Sequence, residues 1–183
     1  MPRLPIPTDT DAFPEATRQA VRHIRATRKT IPPPSSYLTY AGKAGALLSD
    51  LVEHLRYHTS LTQAESELGI CTAARAANAD FIWSAHVRLG LAAGTREVAI
   101  HSVDTGGPLD GLTTDEALII RFGRELLEDQ LVTDATFNAV RARWGEKGLM
   151  EMTAVMSVYM MNASILRAMD HRAAPEARHL AKR

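Results

Sequence analysis

Two residues in this chain have the types and the spacing of a proton-transfer pair. Glu67 and His86 stand nineteen positions apart, on consecutive helical segments joined by a short turn around Asn78, so the helices can pack antiparallel and bring the two side chains together. A carboxylate within hydrogen-bond reach of one imidazole nitrogen fixes the ring's tautomer and raises the basicity of the other nitrogen. His86 then serves as general acid/base and Glu67 as its orienting partner. The same pair also reads as a buried hydrogen bond whose only role is to hold two helices together. A solvent-reachable cavity beside the pair favours catalysis, and a sealed core favours structure.

The helix carrying His86 determines its surroundings. Ala79, Ile82, Trp83, His86 and Gly90 recur at three- and four-residue spacing and share one face. Trp83 and Ile82 are therefore expected in the apolar wall beside His86. A carboxylate substrate needs a cation, and Arg75 and Arg88 are nearest in sequence. His101 is a candidate for the pocket rim. His54 and His58 sit four apart beside Glu53, a spacing that can hold a metal. A closed site needs a further ligand, however, and the Glu of a helical zinc protease is missing between them, so they read as surface histidines and no metal is expected. Cys71, one turn beyond Glu67, reads as an inert core cysteine. The chain carries no nucleotide, flavin or haem motif, and the chemistry is expected to be cofactor-free.

The elements that must position these groups are helical. A segment from about Glu15 to Lys29 has a narrow apolar stripe of Ala16, Ala20, Val21 and Ile24, and Ile31-Pro-Pro-Pro-Ser-Ser36 breaks it. From about Gly42 to His58, Leu47, Leu48, Leu51, Val52 and Leu55 predict a broad apolar face. Thr62-Gln-Ala-Glu65 and Thr113-Thr-Asp-Glu116 are capping boxes that open further helices. Gly94 is placed to end the His86 helix, and Thr95 to cap a short one after it. Another helix starts at Thr133 or Asp134 and ends near Gly145. The last, Leu149 to Met169, is apolar nearly all round and rich in Met. Residues 1–36 form an arm with one helix and a Pro-rich connector, 37–170 the helical domain, and 171–183 a polar tail in which His171 and His179 are solvated. No repeat and no alternating strand pattern is present, so the fold class is all-α.

Composition narrows the partners. The 183 residues carry 21 basic and 21 acidic side chains and only 5% aromatics, which leaves no electrostatic or stacking footprint for nucleic acid. The arginines of the arm read as a solvated or subunit-wrapping face. A single cysteine excludes an intramolecular disulfide. No stretch approaches the roughly 20 apolar residues of a membrane span, and the start has no signal-peptide core. A cytoplasmic protein with no membrane partner is expected.

The ordered set of Glu67, Trp83-Ser-Ala-His86 and Gly94, followed by Leu112-Thr-Thr-Asp-Glu116 and a final helix with Glu151 and Tyr159, resembles the carboxymuconolactone decarboxylase family, with its alkyl-hydroperoxidase D-like members. The likeness covers about residues 47–169 and is strongest over 61–94. In that pattern Ala79 and Ile82 stand where the redox Cys-x-x-Cys would be, and Ser66 replaces an Arg often found before the Glu. Peroxidase chemistry needs a nucleophilic and a resolving thiol, which these residues cannot supply. The resemblance implies an alkyl-hydroperoxidase D-like bundle that forms a homotrimer, dimer or hexamer, with pockets near subunit contacts. It also implies a lyase or decarboxylase-like enzyme acting through His86 and Glu67 on a small organic acid or lactone, with Ala79, Ile82, Trp83, Arg75 and Arg88 around the substrate. Isomerisation or hydrolysis could use the same pair, and an oligomeric binding or scaffold protein that keeps the fold is the alternative from another class.

Overall fold

The two capping boxes read from the sequence reappear as hydrogen bonds, whereas Thr95 caps no helix and its hydroxyl donates instead to the Ala64 carbonyl. In the computed structural model, which describes residues 2–28 and 30–182, the regular elements are all helices. They are α1 (Glu15–Thr27), α2 (Pro33–Leu38), α3 (Lys43–Tyr57), α4 (Gln63–Ala76), α5 (Asp80–Ala93), α6 (Glu97–Thr105), α7 (Thr114–Leu127) and α8 (Asp134–Ala168), with a 3-10 turn at Thr39–Ala41. Both capping boxes form: Glu65 N–H donates to the Thr62 hydroxyl, Glu116 N–H to the Thr113 hydroxyl, and each Glu side chain accepts from the N–H of its cap residue. Gly94 ends α5 in the left-handed region at φ 101°. The expected end of the first helix at Lys29 lies outside the described residues.

Helix α4 is the axis of the molecule. Every residue from Ser66 to Arg75 is buried, because α5, α7, α8 and α6 cover it from different sides. Small residues make this possible. A Cβ on Gly123 of α7 would stand 2.5 Å from Thr72 Cγ2, so α7 can approach α4 this closely only without a side chain there. Helix α8 runs on from the segment expected to end near Gly145 into the Met-rich one, with a break at Gly145 (φ 68°, ψ −179°). It is long and apolar enough by composition to cross a membrane, contrary to the reading of the sequence. Half of its apolar window is buried inside the molecule, mainly against α4 and α7, which is the pattern of a core helix.

Three expectations change. In α3 only part of the expected apolar face turns inward: Val52 and Leu55 are buried, together with Gly45, Ala46 and Ser49, while Leu47 and Leu51 are 59% and 46% exposed. The Pro-rich connector is not merely a break, since Pro33 starts α2, which packs on α3 and α8. The tail expected to be solvated docks on the helices through its described residues. Leu180 N–H donates to Asp80, Ala181 N–H to Asp104, and Arg178 pairs with Glu97. His171 accepts or donates at 3.0 Å to the Tyr37 hydroxyl and packs edge-on to Phe81, and His179 pairs with Asp80.

The α2–α3 corner closes on a glycine. A Cβ on Gly45 would stand 1.8 Å from the Leu38 carbonyl oxygen, a backbone atom that no side-chain rotation can move. Gly45→Ala is expected to cost about 1–3 kcal/mol and to lower the thermal midpoint by several degrees. An unchanged midpoint would show that the corner opens freely.

Candidate active site

Four helices each deliver one part of a site around His86. α4 places Glu67 one turn below Gln63, α5 places His86, α3 ends with Arg56 and Tyr57, and α8 carries Tyr159 and Asn162 on one face at i, i+3 spacing. Close approach of α4 and α5 depends on Gly90, where a Cβ would lie 3.4 Å from Glu67 Cβ and 3.2 Å from the Thr95 hydroxyl.

The centre is a short hydrogen bond. His86 Nδ1 and Glu67 Oε2 are 2.6 Å apart, and the other carboxylate oxygen accepts from Gln63 Nε2 at 2.8 Å and from Arg56 Nη2 at 3.2 Å. Glu67 is fully buried, whereas His86 keeps 7% of its surface. That surface opens into a cavity of about 380 Å³, within the size range of small-molecule sites. Arg56, Tyr159 and Asn162 line it with Ile82, Ala85, Leu89 and Val52, and residues 30 and 32–35 of the connector form a further wall. The His86 ring meets the Tyr159 ring edge-on, with centroids 4.8 Å apart.

Electrostatics set the protonation states. Burial alone would push the Glu67 carboxyl up, but the His86 hydrogen bond and the charges of His86 and Arg56 outweigh it and hold it below the usual carboxylate range. For His86 burial is the largest influence and wins over the Glu67 hydrogen bond and charge, so its pKa falls below the ordinary 6.5. At neutral pH an ionised Glu67 can only accept, so Nδ1 carries the hydrogen and Nε2 the lone pair. Among the described residues Nε2 has no hydrogen-bond partner. A neutral imidazole fixed at one nitrogen and free at the other is a general base ready for use.

No protein-family model matches this chain, and no curated protein does.

The structure brings together some of the residues singled out in the sequence and disperses others. Ile82 lines the cavity with His86. Trp83 lies fully buried behind that wall with its indole N–H unpartnered, so it supports the site without facing it. Ala79 precedes α5 and lines a neighbouring cavity with His171 and Arg167. Neither arginine expected to bind an anion reaches the site. Arg75 is buried in the last turn of α4, about two turns beyond Glu67, where its Nη1 donates to the Ala181 carbonyl, and Arg88 is exposed. Arg75 lies eight residues, about 12 Å of helix, beyond Glu67, and Arg88, two residues from His86, points to a different side of α5. His101 is exposed and does not line the cavity. Cys71 is sealed, and burial pushes its thiol pKa well up. His54 and His58 are exposed, with rings 5.7 Å apart.

Among the described residues the cations at the cavity are Arg56 and Arg28, and sequence reasoning passed over both. Arg28 is held by Ser49 and Glu53. Arg56 sits four residues after Val52, on the inward side of α3, and Gln63 four before Glu67. Asn162 carried a readable signal as a lone amide in an otherwise apolar run.

Proposed function

We propose that this chain is a cofactor-free acid/base enzyme of the lyase type, carboxymuconolactone decarboxylase-like, acting on a small organic acid or lactone. The observation that carries the reading is His86 itself, with one nitrogen held by a buried carboxylate and the other open to a cavity. Neutral Nε2 takes a proton from an activated carbon, and Glu67, 2.6 Å from Nδ1, stabilises the imidazolium that results. The proton is then returned at carbon. Where CO₂ has left, the enolate is protonated through the same nitrogen, with solvent as the source. Arg56 supplies the positive charge that a carboxylate or lactone oxygen would meet in the cavity. Self-association as a homotrimer, dimer or hexamer and a cytoplasmic setting belong to the same proposal.

A scaffold protein would have no use for an imidazole nitrogen left toward a cavity, and the test separates the two readings. In NMR titrations His86 should titrate below 6.5, and Glu67→Gln should lower its pKa further, because it removes the hydrogen bond and charge that favour imidazolium. Activity that needs the neutral imidazole should persist through neutral pH and fall on the acid side of 6.5. A His86 whose pKa is unmoved by Glu67→Gln would return the pair to a purely structural role.

A further inference from the structure

The polar groups on α8 are not explained by packing. Tyr159 and Asn162 are each 4% exposed and line the cavity, on a helix that otherwise buries Met152, Val155, Met156, Ala163 and Leu166. Asn162 Oδ1 is buried without a hydrogen-bond partner. Neither side chain makes a hydrogen bond among the described residues, and both its nitrogen and the Tyr159 hydroxyl remain open toward the cavity. A buried amide with no partner is costly, and a leucine would fill the same space without that cost. A side-chain amide can also turn to present either its N–H or its oxygen.

We infer that Tyr159 and Asn162 form an oxyanion subsite facing His86, which takes the enolate oxygen of a small planar carbonyl compound. This rests on His86 being the proton carrier. As Nε2 takes the proton next to a carbonyl, the C–H electron pair becomes a C–C π bond, and the carbonyl π pair moves onto oxygen. That oxygen then accepts from the Tyr159 O–H and the Asn162 N–H, and proton return reverses each movement. Donors already in place where charge develops need no rearrangement. Burial raises the Tyr159 pKa, so its hydroxyl keeps the hydrogen it must donate. The Arg56 guanidinium on the same cavity wall favours the anion over the neutral carbonyl.

The probe is 4-nitrophenol, a planar ring with one anionic oxygen when ionised, compared with 4-nitroanisole, which has nearly the same shape and no charge. Calorimetry on the full chain, at a pH where the phenol is ionised, should show the phenolate binding at least about tenfold tighter, with the His86 imidazole signals moving as it binds. Tyr159→Phe and Asn162→Leu should each remove most of that preference. Asn162→Asp, which keeps the size and adds a negative charge, should abolish phenolate binding and spare the anisole. Equal binding of the two probes, a preference that survives these substitutions, or binding that leaves His86 unmoved would overturn the subsite. Phenolate preference without turnover of any lactone or β-keto acid leaves the subsite standing and defeats the lyase reading. Turnover without phenolate preference defeats the subsite alone.

Discussion

His86→Gln is expected to lower kcat/KM on a lactone or β-keto acid substrate by roughly 10²–10⁴-fold, the range over which a positioned acid/base contributes, in a protein whose fold is intact. The glutamine amide can still donate to Glu67, so the buried carboxylate keeps a partner and the α4–α5 contact survives. What is lost is a nitrogen that can take and return a proton. Of the other groups on the cavity, the Tyr159 hydroxyl is held protonated, Arg56 is permanently cationic, and the Glu53 carboxylate is engaged by Arg28. The measurement is kcat/KM against pH for both proteins. The wild type should lose activity below its lowered His86 pKa, and the residual rate of the variant should not follow that profile. A fall of less than tenfold would place the chemistry elsewhere.

Glu67→Ala should cost about 3–5 kcal/mol, the price of leaving one member of a buried ion pair alone. Three groups lose their acceptor together: the His86 Nδ1–H, the Gln63 amide and the Arg56 guanidinium. Glu67→Gln should cost less, since its Oε1 can still accept. Arg56→Met added to Glu67→Ala should recover part of the loss, because the uncompensated cation goes with it. Urea unfolding checks each value, and a cost under about 1 kcal/mol for Glu67→Ala would mean that water already screens the pair. Acid should act in two stages. The folded His86 pKa lies below 6.5, so the unfolded chain takes that proton first and stability declines as pH falls below 6.5. The folded Glu67 pKa lies below 4.5, so its contribution, present above that value, is lost as pH falls further. Glu67→Ala should erase the second stage.

Local signals carried most of the fold. Thr62-x-x-Glu65, Thr113-x-x-Glu116 and Gly94 act within one turn of themselves, and each is found where the sequence places it. The His86–Glu67 contact was also legible, because two antiparallel helices joined by a tight turn leave few ways for such residues to meet. What was not legible depends on distant partners. Leu47 and Leu51 form as good an apolar stripe as Val52 and Leu55, and only the arrival of α1, α2 and α8 decides which side of α3 is covered. Arg56 and the connector reach His86 across the tertiary fold, with no sequence proximity to suggest it. The tail looks polar because its work is done by backbone N–H groups docking on Asp80 and Asp104, which composition does not display.

The burial of α4 from Ser66 to Arg75 has a consequence for how the site comes into being. A helix with no solvent-facing stripe gains little by forming alone, since isolated helices of this length are marginal in water. It becomes worth forming only when α5, α7 and α8 arrive together, and Glu67 takes its place at the same moment. No partly folded state should therefore hold a half-built proton relay, and the His86–Glu67 bond should appear and vanish with the whole molecule as one cooperative unit.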